Sequence, residues 1–218
     1  MVRSPRPLTK PVSQEHQGGE LSTQEPVKPV STQFDQFVAD YYSRFAAATL
    51  AFDKSALGGV LDVLNNVAAA GGTLWLAGNG GSAAIADHSV CDISKGTYKD
   101  GHPPLRAVSL SANGPLLTAL GNDLSYDEVF SEPLKYYLTD NDAVLLVSSS
   151  GNSENVVRAC EVANAQGVPT IAFTGFSGGR LAKLARHSIH IPVDNYGIVE
   201  DLHQSLIHVL TQYMMAQK

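Results

Sequence analysis

Two short segments hold residues suited to gripping an anion. The first, Leu74-Trp75-Leu76-Ala77-Gly78-Asn79-Gly80-Gly81-Ser82, passes from an apolar stretch into a glycine-rich turn and then into an alanine-rich helical segment. A strand, a turn that lets backbone N–H groups approach a ligand, and a helix N-terminus with partial positive charge together favour an anion. The second, Ala143-Val144-Leu145-Leu146-Val147 followed by Ser148-Ser149-Ser150-Gly151-Asn152-Ser153, repeats the arrangement. Ser153 is placed to cap the helix that continues through Asn155-Val156-Val157-Arg158. Ser150 and Gly151 can turn a hydroxyl and N–H groups toward an anion. An isolated Ser-Gly-Asn-Ser reads as a plain N-cap; two such turns point to a pocket for a phosphorylated small molecule. Neither has the lysine of a Gly-Lys-Ser/Thr nucleotide loop or the spacing of a dinucleotide fingerprint, so a sugar phosphate is the expected ligand.

A second set could bind a metal or move protons. His88 and Asp92 are four apart on the helix opening at Ser82, so they share a face one turn beyond the glycine turn, with Cys91 bordering it. Such a group binds a borderline metal or serves as an acid–base pair, and the same pairing is also an ordinary surface contact. On the terminal helix Glu200, Gln204 and His208 fall at i, i+4 and i+8, apart from the apolar stripe of Leu202, Leu206, Val209, Leu210 and Tyr213. His203 lies about 140° around that helix from His208, so the two need not serve one site. A solvated face with two ordinary histidines also accounts for them.

The elements that must position these residues are legible as periodicities. Residues 1–32 carry five prolines among Ser, Thr, Gln and Glu, with no aromatic residue, and read as a disordered extension. From Phe34, apolar residues recur every three or four positions through Phe45, and a second helical stretch covers 57–70. This helical prelude, 33–70, has more apolar residues than one sheet face needs, which predicts contact with another subunit. Strands are expected at 73–77, 106–110, 143–148, 169–173 and 188–191, with helices between them and a last helix over about 198–216. That alternation predicts an α/β three-layer sandwich, a five-stranded parallel sheet of flavodoxin-like type preceded by N-terminal helices, with sites at the carboxyl ends of its strands. The chain has 218 residues, net charge −6 and 44% hydrophobic residues, enough for one domain over 33–218 with a full core. No basic cluster speaks for nucleic acid, and no apolar run is long enough for a membrane span. Two cysteines, Cys91 and Cys160, make no disulfide framework and fit a reducing cytoplasm.

These motifs in this order resemble the sugar isomerase (SIS) domain family and, within it, the phosphoheptose isomerases. The resemblance runs from Phe34 to the C-terminus. It covers the helical prelude, Gly78-Asn79-Gly80-Gly81-Ser82, Gly121-Asn122-Asp123, the Ser148–Ser153 turn and a terminal helix with two histidines five apart. It implies a homotetramer with active sites at subunit interfaces, interconverting sedoheptulose 7-phosphate and an aldoheptose 7-phosphate through an enediol, often with zinc (Zn2+). It implies a phosphate site at Gly80, Gly81, Ser82, Ser148, Ser150 and Ser153, with Asn79 and Asp123 also in the pocket. The implied metal ligands are His88, Asp92, Glu200 and His208, and the implied catalytic residues Asp92, Glu200 and His208. Three positions depart from the family pattern: Asp92 replaces a glutamate, Glu200 a glutamine and Gly197 an aspartate. Two further readings follow from those departures: an isomerase of another sugar phosphate, or a non-catalytic scaffold of this fold that binds a replication-initiator-type protein.

Overall fold

A computed structural model describes residues 32–101 and 104–217. The extension expected over 1–32 lies outside the described residues, apart from Thr32. The described residues fall into two units, divided between Val38 and Ala39. The described part of the first is the start of helix α1 (Gln33–Ala51). There Thr32 Oγ1 accepts from the Asp35 N–H at 3.0 Å and donates to Asp35 Oδ2 at 2.5 Å, an exchange that starts the helix.

In the second unit, strands β1 (Thr73–Gly78), β2 (Arg106–Ser109), β3 (Ala143–Ser148), β4 (Thr170–Thr174) and β5 (His187–His190) form one sheet in the order β2-β1-β3-β4-β5. Every neighbouring pair is parallel. The helices are α2 (Leu57–Ala70), α3 (Gly81–Gly96), α4 (Gly114–Asp123), α5 (Ser131–Tyr137), α6 (Glu154–Ala165), α7 (Leu181–Leu184) and α8 (Tyr196–Ala216).

Strand alternation sorts the helices into two layers. Leu74 and Leu76 of β1, Leu145 and Val147 of β3, and Phe173 of β4 pack with α2, α3 and α8. Ala77, Val144, Leu146 and Ala172, pointing the other way, pack with α5 and α6 and with Leu181 of α7. All six residues of β3 are buried, as expected of a central strand covered on both faces. Burying Leu145, Leu146 and the two valines contributes roughly 1.5–3 kcal/mol each before entropy is counted.

The expected strands lie within one residue of those observed at each end. Helix α8 starts at Tyr196, two residues earlier than expected, because Asn195 Oδ1 accepts from the Ile198 N–H at 3.0 Å and caps it. From β1 the chain passes outward to β2 and then returns to the other side of β1 as β3. That reversal leaves a crevice at the carboxyl ends of β1 and β3, where both serine and glycine turns sit.

Candidate active site

The turn after β1 is built for close approach. Gly80 has φ +53°, which favours glycine, and it stands at the N-cap of α3. Gly81 and Ser82 follow as the first helical residues, whose N–H groups have no acceptor within the helix. Ser111 clamps the turn from below: its Oγ donates to the Gly78 carbonyl at 3.0 Å and accepts from the Gly78 N–H at 3.3 Å. Asn79 is fixed by three hydrogen bonds. It exchanges amide bonds with Asn155, 2.9 Å each way, and its Oδ1 accepts from the Tyr126 hydroxyl at 2.8 Å.

The turn after β3 is buttressed by the segment after β4. Gly175 N–H donates to the Ser149 carbonyl and Leu181 N–H to the Gly151 carbonyl, both at 2.9 Å. Arg180 N–H donates to Asn152 Oδ1 at 3.0 Å, and its guanidinium to Glu154 Oε2 at 2.6 Å. Gly151 has φ +64°, and a Cβ there would collide with the Gly178 carbonyl, so the two backbones touch only because the position is glycine. Ser153 holds the N-cap of α6, but its side chain makes no capping hydrogen bond, contrary to the expected cap.

Ser153 instead lines a cavity of about 130 Å³ together with Asn79, Ser82, Ser148, Ser149, Ser150, Tyr196 and Glu200. Two helix N-termini, α3 and α6, open onto it. Ser149 Oγ is buried there with no hydrogen-bond partner, a hydroxyl with a proton to offer an acceptor. Five of the eight expected anion-site residues therefore line one cavity, with Gly80 and Gly81 in the turn beside it. Asp123 does not line it: it ends α4, exposed, with Oδ1 accepting from Asn122 Nδ2 at 2.8 Å. Tyr196, Ser149, Asn155 and Tyr126 were not singled out from the sequence. Tyr126 and Asn155 reach Asn79 from 47 and 76 residues away, and no local pattern signals that.

A second cluster stands where α3 crosses α8. His88 Nε2 is 3.2 Å from Asp92 Oδ2, His208 Nε2 is 3.3 Å from the same oxygen, and the two Nε2 atoms are 3.4 Å apart. The Gln204 amide is 3.1 Å from His208 Nε2. Asp92 Oδ2 is buried and receives no hydrogen bond. Three ligand-type atoms within 4.8 Å of one another could hold a metal ion. A neighbouring cavity of about 360 Å³, lined in part by Cys91, Asp92, Lys95 and His208, leaves the cluster accessible.

Glu200, expected beside these three, lies elsewhere. Its carboxylate rests against Gly81, where a Cβ would overlap it, and it faces the serine cavity. The separation is helical: Glu200 and His208 are eight residues apart on α8, about 12 Å along its axis. Gly197 also has a local reason. The Tyr41 hydroxyl, which donates to Asp201 Oδ2 at 3.1 Å, passes close to Gly197, within 3.0 Å of where a Cβ would stand.

His203 is not on a solvated face. It is fully buried, its ring 6.0 Å from that of Phe173, and neither nitrogen makes a hydrogen bond of normal geometry. Burial pushes its pKa down to about 4, opposed by the nearby Thr174 backbone and aided by His190.

The SIS domain profile matches residues 36–175. A probable phosphoheptose isomerase of Thermoplasma acidophilum is 36% identical over 170 residues, 78% of this chain and 93% of that protein. The phosphoheptose isomerase of Mycobacterium tuberculosis is 39% identical over 145 residues, 66% of this chain and 74% of that one. Among solved structures, the phosphoheptose isomerases of Neisseria gonorrhoeae and Francisella tularensis superpose with TM-scores of 0.76 and 0.77 at 26% identity. They cover 84% and 86% of this chain, and 100% of their own lengths. With the serine cavity, the His-Asp-His cluster and the parallel sheet in place, the chain belongs to the SIS domain family, in its phosphoheptose isomerase branch.

Proposed function

We propose that this protein is an aldose–ketose isomerase that interconverts sedoheptulose 7-phosphate and an aldoheptose 7-phosphate through an enediol. The observation that carries the reading is one helix, α8, bearing Glu200 in the serine cavity and His208 in the His-Asp-His cluster. The residues over 33–218 form the catalytic domain. The phosphate lies against Ser82, Ser148, Ser150 and Ser153 and the N–H groups of Gly80 and Gly81, with Asn79 holding the turn. Binding energy gained there orients the reacting end of the sugar. Asp92 or Glu200 takes the proton from the carbon next to the carbonyl, and His208 moves a proton at the oxygen.

The cluster fits zinc. A tetrahedral ion with ligand bonds near 2.0–2.2 Å places its ligand atoms about 3.3–3.5 Å apart. His88, Asp92 and His208 present theirs at 3.2, 3.3 and 3.4 Å, around a buried oxygen that lacks a donor. When bound, zinc polarises the substrate oxygens and favours the enediolate.

The protein acts as a homotetramer in the cytoplasm, with its sites at subunit interfaces. Exposed Tyr42 and Leu50 on α1, and an apolar groove of Leu57, Leu61, Val209, Leu210 and Tyr213, support association. Among the described residues, no helix is long and apolar enough to cross a membrane.

The test is incubation with sedoheptulose 7-phosphate followed by carbon NMR, with zinc and after chelation. A new aldoheptose signal that disappears on chelation supports the reading. No product from folded, zinc-loaded protein overturns it in favour of another sugar phosphate or a scaffold.

A further inference from the structure

We infer that Asn155 and Tyr126 are positioning residues for the anion pocket: together they fix the side-chain amide of Asn79 so that it offers the serine cavity only an N–H donor, for a phosphate oxygen. The inference rests on the phosphate reading above and adds to it two residues that do not line the cavity.

An amide has an acceptor end and a donor end of nearly the same shape, so its partners decide which end faces where. For Asn79 the decision starts at the backbone. The Val156 N–H can only donate, and it reaches Asn155 Oδ1 at 2.9 Å as well as the Ser153 carbonyl at 3.1 Å. That sets the oxygen of Asn155, and its Nδ2 donates to Asn79 Oδ1 at 2.9 Å. Asn79 Nδ2 returns a bond to Asn155 Oδ1, also at 2.9 Å, and the Tyr126 hydroxyl donates to Asn79 Oδ1 at 2.8 Å. Each amide oxygen then has two donors, which fills its lone pairs. What is left of the Asn79 amide is one N–H, with no acceptor among the described hydrogen bonds, on a residue that lines the serine cavity. Turning the Asn79 amide over would set oxygen against oxygen and nitrogen against nitrogen across the pair. Turning both amides over would set the Asn155 NH₂ against the Val156 N–H, donor to donor, at a buried residue.

The direction matters because the ligand is an anion. A carbonyl oxygen in the cavity wall would repel a phosphate, whereas an N–H makes a charge-assisted hydrogen bond to it. The serine hydroxyls can rotate to donate or to accept; the locked amide cannot. Its three members come from the turn after β1, the short Tyr126–Glu128 turn between α4 and α5, and the first turn of α6. The lock therefore ties the glycine turn to the helix that follows the serine turn, and the donor is in place before the ligand arrives.

A double-mutant cycle tests this, with calorimetric binding of sedoheptulose 7-phosphate and of inorganic phosphate to the full chain. Asn155→Ala is expected to weaken both at least about fivefold, through loss of an aligned donor to a charged group. Tyr126→Phe keeps a ring that is 56% exposed and removes only the hydroxyl; it is expected to weaken them about threefold. In an Asn79→Ala background neither change should weaken binding further, because both act through Asn79. A merely structural role would cost the same factor in either background. In turnover, KM should rise with kcat changed less. Parent-like affinity in Asn155→Ala or in Tyr126→Phe, or the same loss with and without Asn79, overturns the inference. Should Asn155→Ala not fold, the Tyr126→Phe cycle decides alone. A parent that binds inorganic phosphate but not sedoheptulose 7-phosphate overturns the substrate proposed above, and the cycle on phosphate still decides the role of Asn155 and Tyr126. A parent that binds neither overturns both.

Discussion

Asp92 is one methylene shorter than the glutamate the family pattern places there, yet its Oδ2 already sits 3.2 and 3.3 Å from the two imidazoles. The i, i+4 spacing on α3 closes the gap to His88, and the crossing of α3 and α8 closes the gap to His208. Asp92→Glu therefore overshoots rather than repairs. A displacement near 1 Å at a reacting group costs about 100-fold in rate, so kcat of Asp92→Glu should fall by about that factor in the NMR assay. Ser148 reports on the other half of the site. Its Oγ accepts from the Gly151 N–H at 3.2 Å and Ser148 lines the cavity; with the phosphate bound as proposed, Ser148→Ala removes one hydrogen bond to a charged group, worth about 1.5–3 kcal/mol. KM should rise about tenfold or more with kcat changed less; an unchanged KM would remove Ser148 from the phosphate site. At this scale the placing of Ser82, Ser148, Ser150 and Ser153 in two strand-to-helix turns was legible, because turn chemistry is local. Asp123 and Glu200 were not placed by their spacing, since the direction of a helix end and the depth of a side chain in a crevice depend on neighbours distant in sequence.

Among the elements, the segment after β4 decides whether the serine turn keeps its shape. It carries Gly178 at φ +81°, and its backbone lies directly against Gly151. Gly151→Ala adds left-handed strain of roughly 1–2 kcal/mol and a collision of about the same size. At about 2–4 °C per kcal/mol for a chain of this length, Tm should fall by about 4–16 °C, as differential scanning calorimetry would show. A smaller loss would mean that the two turns can separate. Strands and helices themselves were readable from period, and β3 with its six buried residues is the clearest case. The unused Ser153 cap was not readable: the residue type favoured a cap, but the side chain makes no capping bond and its carbonyl receives the Val156 and Val157 N–H groups.

For the whole molecule, two expectations follow. Val209 and Tyr213 are 56% and 50% exposed beside an apolar groove, so Val209→Asp should shift the assembled mass toward smaller species in light scattering and lower turnover with it. A parent already monomeric would overturn the interface. Stability should also depend on pH through His203. Its folded pKa is about 4, below the ordinary 6.5, so as pH falls from 6.5 toward 4 the unfolded chain gains a proton that the folded one refuses. Stability is thus lost across that window, by about 3 kcal/mol at pH 4. Urea unfolding of His203→Phe should lack this component, and an identical pH dependence in both proteins would show that His203 does not titrate as its burial requires. The sequence by itself determined the alternating α/β order, the two serine- and glycine-rich turns and the polar stripe on the last helix, because strand period, helix period and turn chemistry all act within a few residues. Only the tertiary structure decided that one stripe reaches two places, Glu200 at the serine cavity and His208 at the His-Asp-His cluster. It also decided that His203 is sealed in the core. Both depend on where α3 and α8 cross over the sheet, and that crossing is set by packing between segments more than a hundred residues apart.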